Sequence, residues 1–168
     1  MTFHTPSDSG LSVGQNLHRL IYTSTTRPPG EETATPIPDL EEIIATSQDR
    51  NATVGITGVL IQVGEHVIQI LEGPSANLEA TFERICRDMR HRNLSLIDFS
   101  PIATVTFGQW SMKRVDASAT QDKEQFVDLV MSISAGMAPA AIVDDLAQLL
   151  KVGPLHAAEQ AEKLAQNS

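Results

Sequence analysis

Residues 55–74, GITGVLIQVGEHVIQILEGP, hold two apolar runs separated by Gly64–Glu65. Each run is rich in β-branched and aliphatic residues and too short for a typical helix, and the Gly-Glu pair suits a two-residue hairpin turn. Residues 55–63 and 66–72 are therefore expected to form an antiparallel hairpin, with Gly73 and Pro74 breaking its second strand. Gln69 is out of character in this run. It shares a face with Val67 and Leu71, and a buried amide needs several hydrogen bonds. It is either an edge-strand amide paired with water or backbone, or an amide aimed at the polar edge of a ligand.

Working outward, Asp39 followed by Glu42 resembles a capping box that opens a helix ending near Asn51, with Leu40, Ile43, Ile44 and Ser47 on its inner stripe. Before it, residues 24–38 contain four of the nine prolines and read as a long loop. Residues 17–23 (LHRLIYT) alternate as a strand, with Leu20 and Tyr22 on one face and Leu17, Arg19 and Ile21 on the other. Residues 1–16 are aperiodic and read as a flexible arm. After the hairpin, Ser75 is a good N-cap for a second helix with the stripe Leu78, Phe82, Ile85 and Met89. Strands are expected near 94–105 and 109–115. The order β-α-β-β-α-β-β is that of an α+β, ferredoxin-like sheet with two helices on one face. From Gln121 onward the chain reads as helical, with stripes Phe126, Leu129, Val130, Ile133 and Ile142, Leu146, Leu149, Leu150, closed at Gly136 and Gly153–Pro154; residues 155–166 form a weaker helix. These helices are the expected cover for the bare face. The division is an arm (1–16), a sheet domain (17–116) and a helical extension (117–168).

The chain has 168 residues, 12 basic against 21 acidic, and a net charge of −9. The deficit is spread over both parts, so neither is a basic module that would hold nucleic acid by neutralising phosphates. One cysteine, Cys86, excludes an intrachain disulfide framework. No apolar run approaches the ~20 residues of a membrane span, and the opening residues lack a signal-peptide core. The expectation is a soluble protein of the reducing cytoplasm, with no nucleic acid and no membrane as partner. The five histidines have no ligand spacing, so no metal site is expected, and no phosphate-binding or nucleophile motif is present.

Aromatic use is economical, with one Tyr and one Trp. Taken alone, Tyr22 and Trp110 are a core phenol and a core indole, each needing a partner for its polar atom. Trp110 and Met112 stand two apart in the expected last strand and so on one face. Asn51 is either an Asn in a helix-terminating conformation or a second amide facing the ligand of Gln69. Arg90–His91 either complement a helix C-terminus or bind phosphate.

In order along the chain, LIYTS (20–24), NATVGITG (51–58), VIQILEG (67–73), RDMRH (87–91) and WSM (110–112) resemble the BLUF domains, blue-light sensors that use FAD. Each motif is weak alone, and their conjunction over residues 17–115 is specific. The resemblance implies that Tyr22 and Gln69 are the photoactive pair. It implies that Asn51 holds the isoalloxazine edge, with Arg50 in the family's variable neighbouring position and Ser24 near the tyrosine. By the same likeness Arg90 and His91 lie by the ribityl and phosphate portion, and Trp110 and Met112 carry signal output. Two departures are a longer loop at 24–38, and Val67–Ile68 where many members place an aromatic residue.

The implied function is a photoreceptor, not an enzyme: light drives electron and proton transfer from the phenol to FAD, and the Gln69 network rearranges without a covalent adduct. The signal would pass to a separate, unidentified protein, from a homodimer or larger homo-oligomer. Two other readings fit the same fold class. A small enzyme of the acylphosphatase kind would need an anion-cradling loop, and Arg27 beside Pro28 and Pro29 lacks the donor-rich backbone for one. A flavin-free interaction module would make Tyr22 and Gln69 packing residues. A flavin absorption spectrum separates the sensor from both.

Overall fold

The hairpin strand that carries Gln69, β3 (His66–Pro74), is buried on both faces from Val67 to Gly73 because it lies at the centre of the sheet. The structure, a computed structural model, describes residues 16–26, 40–88 and 91–152. Within them the order is β1 (Leu17–Thr26), α1 (Leu40–Thr53), β2 (Thr57–Val63), β3, α2 (Ser75–Cys86), β4 (His91–Pro101) and β5 (Lys113–Asp116). A short 3-10 turn (Ala117–Ala119), α3 (Lys123–Ser134) and α4 (Pro139–Leu149) follow. The sheet runs β4-β1-β3-β2-β5, antiparallel except for β2 with β5. The first four strands have the ferredoxin-like order, and β5 adds a parallel edge. Gln69 is thus not an edge-strand amide; two strands flank it.

Alternation sends the two halves of each strand's side chains to separate cores. On one face Leu71 joins Ile56, Leu78 and Met112, with Ile44 of α1 and Ile85 of α2 packed against them. On the other, Ile21, Val59, Ile61, Ile68 and Ile70 meet Phe126, Leu129 and Ile133 of α3 and Ile142, Val143 and Leu146 of α4. The expected cover of the bare face by the C-terminal helices is what the chain forms.

Several boundaries differ from expectation, each for a local reason. β3 does not break at Gly73 but runs to Pro74. A Cβ at Gly73 would come within 2.8 Å of the Gly55 carbonyl oxygen, so this is a close backbone approach that only glycine allows. Pro74, not Ser75, precedes α2, and the Ser75 amide donates to the Asn16 carbonyl at 3.1 Å. α1 runs to Thr53, and Gly55 (φ +69°) turns the chain while the Ile56 amide reaches back to the Asn51 carbonyl at 2.9 Å. Asn51 lies inside the last turn and does not itself terminate the helix. α2 ends at Cys86, so His91 opens β4 rather than closing the helix. α4 ends at Leu149 and Lys151 (φ +56°) turns the chain after it; Gly153 and Pro154 lie outside the described residues.

The last two strands start and stop earlier and later than expected, leaving residues 102–112 as an irregular connector. Several of its polar backbone groups are met by side chains of β3 and α1, and the Trp110 carbonyl by the Gly58 amide of β2. The arm up to residue 15, residues 27–39 with the Asp39 cap, Met89, Arg90 and the expected helix at 155–166 lie outside the described residues.

Candidate functional site

The register of β1 on β3 sets Tyr22 directly opposite Gln69. Both point to the α1/α2 side, are buried (3% and 5% exposed), and are joined by a hydrogen bond from Tyr22 Oη to Gln69 Oε1. Gln69 Nε2 donates to Met112 Sδ at 3.4 Å. A thioether is a weak acceptor, so one end of this amide is firmly held and the other loosely.

These three side chains form part of the wall of a cavity of about 260 Å³ between the sheet and the two helices. α1 supplies Ile44, Ser47, Arg50 and Asn51; α2 supplies Thr81, Arg84 and Ile85, the i, i+3, i+4 face, with Asp88 beyond. Asn51 is 3% exposed and its Nδ2 donates to the Ser111 carbonyl at 2.8 Å. One residue turn earlier, Gln48 Nε2 donates to the Met112 carbonyl at 2.7 Å. Two amides at i and i+3 of α1 thus hold successive carbonyls of the connector and keep Met112 over the cavity.

His91 faces the cavity from the start of β4. Its Nε2 donates to the Ile85 carbonyl at 2.8 Å, an acceptor only, and Nδ1 is hydrogen-bonded with the Ser24 hydroxyl at 3.2 Å. His91 thereby satisfies a last-turn carbonyl of α2 from the neighbouring strand. Tyr22 packs edge-on to His91 (6.3 Å between ring centres) and tilted against Phe82 (5.8 Å). Burial pushes the Tyr22 phenol well above the ordinary tyrosine range, and the Asp88 carboxylate and Cys86 thiol act in the same direction.

The structure therefore gathers Tyr22, Arg50, Asn51, Gln69, His91 and Met112 on one cavity. Ser24 does not line it and reaches it through His91. Trp110 is not there either: it packs on the α3/α4 side of the sheet, so the expectation that it shares a face with Met112 is wrong. The reason is that 110–112 bend rather than extend, with the Trp110 carbonyl taken by the Gly58 amide at 2.9 Å and the Ser111 carbonyl by Asn51. Arg90 lies outside the described residues. The sequence reading missed Gln48, Arg84 and Asp88. The signal for Gln48 was its i, i+3 spacing to Asn51; for Arg84, its i, i+3 spacing to Thr81.

Comparison with known proteins agrees with this geometry. Residues 17–113 match the family described as sensors of blue-light using FAD. The blue light- and temperature-regulated antirepressor BluF of Escherichia coli (strain K12) is 34% identical over 83 residues, 48% of this chain and 20% of that one. Photoactivated adenylate cyclase subunit alpha of Euglena gracilis is 28% identical over 109 residues, 65% of this chain and 10% of that one. The chain spans a fifth or less of the length of these curated relatives. Among solved structures, BlsA in its photo-activated state superposes with a TM-score of 0.66 at 27% identity, over 83% of this chain and 99% of that one. The dark state of BlrB, a BLUF protein, superposes with a TM-score of 0.63 at 29% identity, over 80% of this chain and 95% of that one. With the family matched across more than half of its length, on the strands and helices that wall the cavity, this chain belongs to the BLUF family of blue-light sensors that use FAD.

Proposed function

We propose that Tyr22 and Gln69 are the photoactive pair of this blue-light receptor, that Arg50, Asn51, Arg90 and His91 with Ser24 behind them hold its FAD, and that Met112 and Trp110 pass the signal on. The residues present fit the cofactor. A flavin ring edge offers both donors and acceptors, and the cavity wall meets it with two amides, the side chains that can do both. No protein donor reaches Asn51 Oδ1 among the described residues. Binding pockets run from roughly 300 Å³ upward, and a cavity of about 260 Å³ takes a ring system rather than a whole dinucleotide. The rest would run out past Arg84, Asp88 and His91 at the α2 side.

When bound, the flavin supplies absorption of blue light and a strong one-electron oxidant in its excited state. Tyr22 is the chain's only phenol and can give an electron together with its proton. Among the described residues that proton is directed at Gln69 Oε1. With flavin bound, the amide would relay it, Oε1 taking up the phenolic proton as Nε2 gives one to the flavin; return of an electron and a proton to Tyr22 would leave the amide as a tautomer or turned about its last torsion. In the turned form an oxygen faces Met112 Sδ, and the weak bond there is lost. That change is the first step out of the site, and no covalent bond to the protein is needed.

The observation that carries this reading is the buried Tyr22–Gln69 hydrogen bond at the cavity wall. Its test is an absorption spectrum before and after blue light: a flavin spectrum that shifts to the red and returns in the dark. Bleaching to a cysteinyl adduct, or a colourless protein that cannot be reconstituted, would refute it.

For the whole chain we propose a sensor domain at 17–116 and a helical output extension at 117–168, acting in the cytoplasm on a separate protein. The antirepressor among the relatives supports a protein receiver. No helix among the described residues is long and apolar enough to cross a membrane. Exposed Val127 and Met131 (68%), one turn apart on α3, offer apolar surface for the partner or for a second copy in a homodimer or larger homo-oligomer.

A further inference from the structure

On the strand that carries Gln69, a second buried polar residue faces the other way. Glu72 is 0% exposed, on the α3/α4 side of β3. Four donors converge on its carboxylate. Arg19 Nε and Nη2 reach Oε2 at 3.2 and 2.9 Å, the Thr106 amide lies 3.0 Å from Oε2, and the Phe107 amide donates to Oε1 at 2.6 Å. Arg19 Nη2 also donates to Thr106 Oγ1 at 3.0 Å, closing a ring of three residues. A carboxylate taken out of water is tolerated only with such a complete set of partners.

What these bonds hold is the connector. Thr106 and Phe107 open the segment that ends at Met112, and Phe107 is fully buried next to the anchor. From there the Trp110 amide reaches the Phe107 carbonyl, and the carbonyls of 110, 111 and 112 are taken in turn by Gly58, Asn51 and Gln48. The Met112 sulfur then returns to Gln69, three residues from Glu72 on the same strand. A closed circuit results: β3, Glu72, connector, Met112, Gln69. The sulfur bond is too weak to set its own geometry, so the sulfur's place is decided by what holds the connector.

We infer that the buried Glu72–Arg19 pair is a positioning device for the photoactive site, fixing residues 106–107 against β3 and thereby setting Met112 Sδ and the Ser111 carbonyl beside Gln69 and Asn51. The inference rests on the reading of Gln69 as the photoactive amide. Glu72 touches neither the cavity nor Gln69, and acts through the connector.

The test uses the full chain with flavin bound. Glu72→Gln keeps the shape but places an amide NH₂ where the structure supplies only donors, so one arm of the anchor must open. Expected results are a smaller light-induced red shift and dark recovery altered by roughly tenfold, the rate equivalent of about one strong hydrogen bond. Arg19→Lys keeps the charge and gives up the fork; it should move both readouts in the same direction by less, and serves if Glu72→Gln does not fold. Leu146→Ala, which opens a cavity on α4 and removes none of these hydrogen bonds, is the comparison for simple loss of stability. The inference is overturned if either anchor variant keeps wild-type shift and recovery, or if Leu146→Ala changes them as much. Failure of the underlying reading looks different: Gln69→Leu would still photocycle normally.

Discussion

Trp110 and Met112 are two residues apart and lie on opposite sides of the sheet. Trp110 packs on the core shared with α3 and α4, with the Lys113 ammonium 4.4 Å over its ring, and Met112 lies over the cavity as the acceptor from Gln69. The bend between them is fixed from three directions, by Gly58, Asn51 and Gln48. One short segment therefore meets Gln69 with one residue and the core shared with the C-terminal helices with another. A displacement of the connector is felt on both faces at once, without passing through the strands.

This separates the two residues experimentally. Met112→Leu keeps the apolar volume, at a cost below about 1.5 kcal/mol, and removes the acceptor of Gln69 Nε2. It should change dark recovery severalfold with flavin still bound. Trp110→Phe should leave the dark spectrum unmoved and lower the melting temperature, since it thins the packing on the far side. A larger spectral effect from Trp110→Phe than from Met112→Leu would contradict the arrangement of the two faces.

Gln69→Leu should retain flavin and lose the normal photocycle, because an apolar chain of similar size supplies none of the amide's bonds. Tyr22→Phe should behave alike while keeping the ring in its packing with Phe82 and His91. Loss of the phenol's hydrogen bond should cost stability by about 1 kcal/mol. A reversible red shift surviving in both variants would remove these residues from the photoactive role.

The phenol also makes a prediction in the dark. Its folded pKa is raised above the ordinary tyrosine value, by burial first and by Asp88 and Cys86 after. Above about pH 10 an unfolded chain loses this proton and the native chain keeps it, so stability present below that pH falls as pH rises, by up to about 1.4 kcal/mol per unit. Tyr22 is the only tyrosine, so tyrosinate absorbance reports on it alone. That absorbance should grow only together with loss of the far-ultraviolet circular dichroism. Titration centred near 10 with the fold intact would mean that water reaches the phenol.

Alternation and turn chemistry made the sheet, the two helices and the C-terminal cover legible, because each depends on local spacing. They also set Tyr22 on one face with Leu20, and Gln69 on one face with Val67 and Leu71. What local spacing does not contain is register: that Tyr22 stands opposite Gln69 follows from pairing across 47 residues. The connector defeated the strand reading for the same reason. Residues 109–115 alternate well enough, yet the groups that capture 106–112 come from Glu72, Gly58, Asn51 and Gln48, all distant in sequence. Glu72 itself read only as the end of an apolar run, and its burial becomes intelligible once Arg19 and two amides converge on it.

The remaining prediction concerns output. α3 and α4 bury one stripe each on the sheet, through Phe126, Leu129 and Ile133 and through Ile142, Val143 and Leu146. Helices of this length are marginal without such packing, so their order depends on the surface beneath them. Trp110 belongs to that surface and Met112 to the site, with one residue between. Light should therefore change amide hydrogen exchange over residues 107–150, most in the connector and in the turns of α3 and α4 nearest Trp110. The opposing view is a static lid, in which the helices cover the sheet and take no part. Exchange measured in the dark and under steady blue light decides between them: identical protection over 107–150, with the flavin absorption still shifting, would leave the helices as cover and send the signal out by another surface.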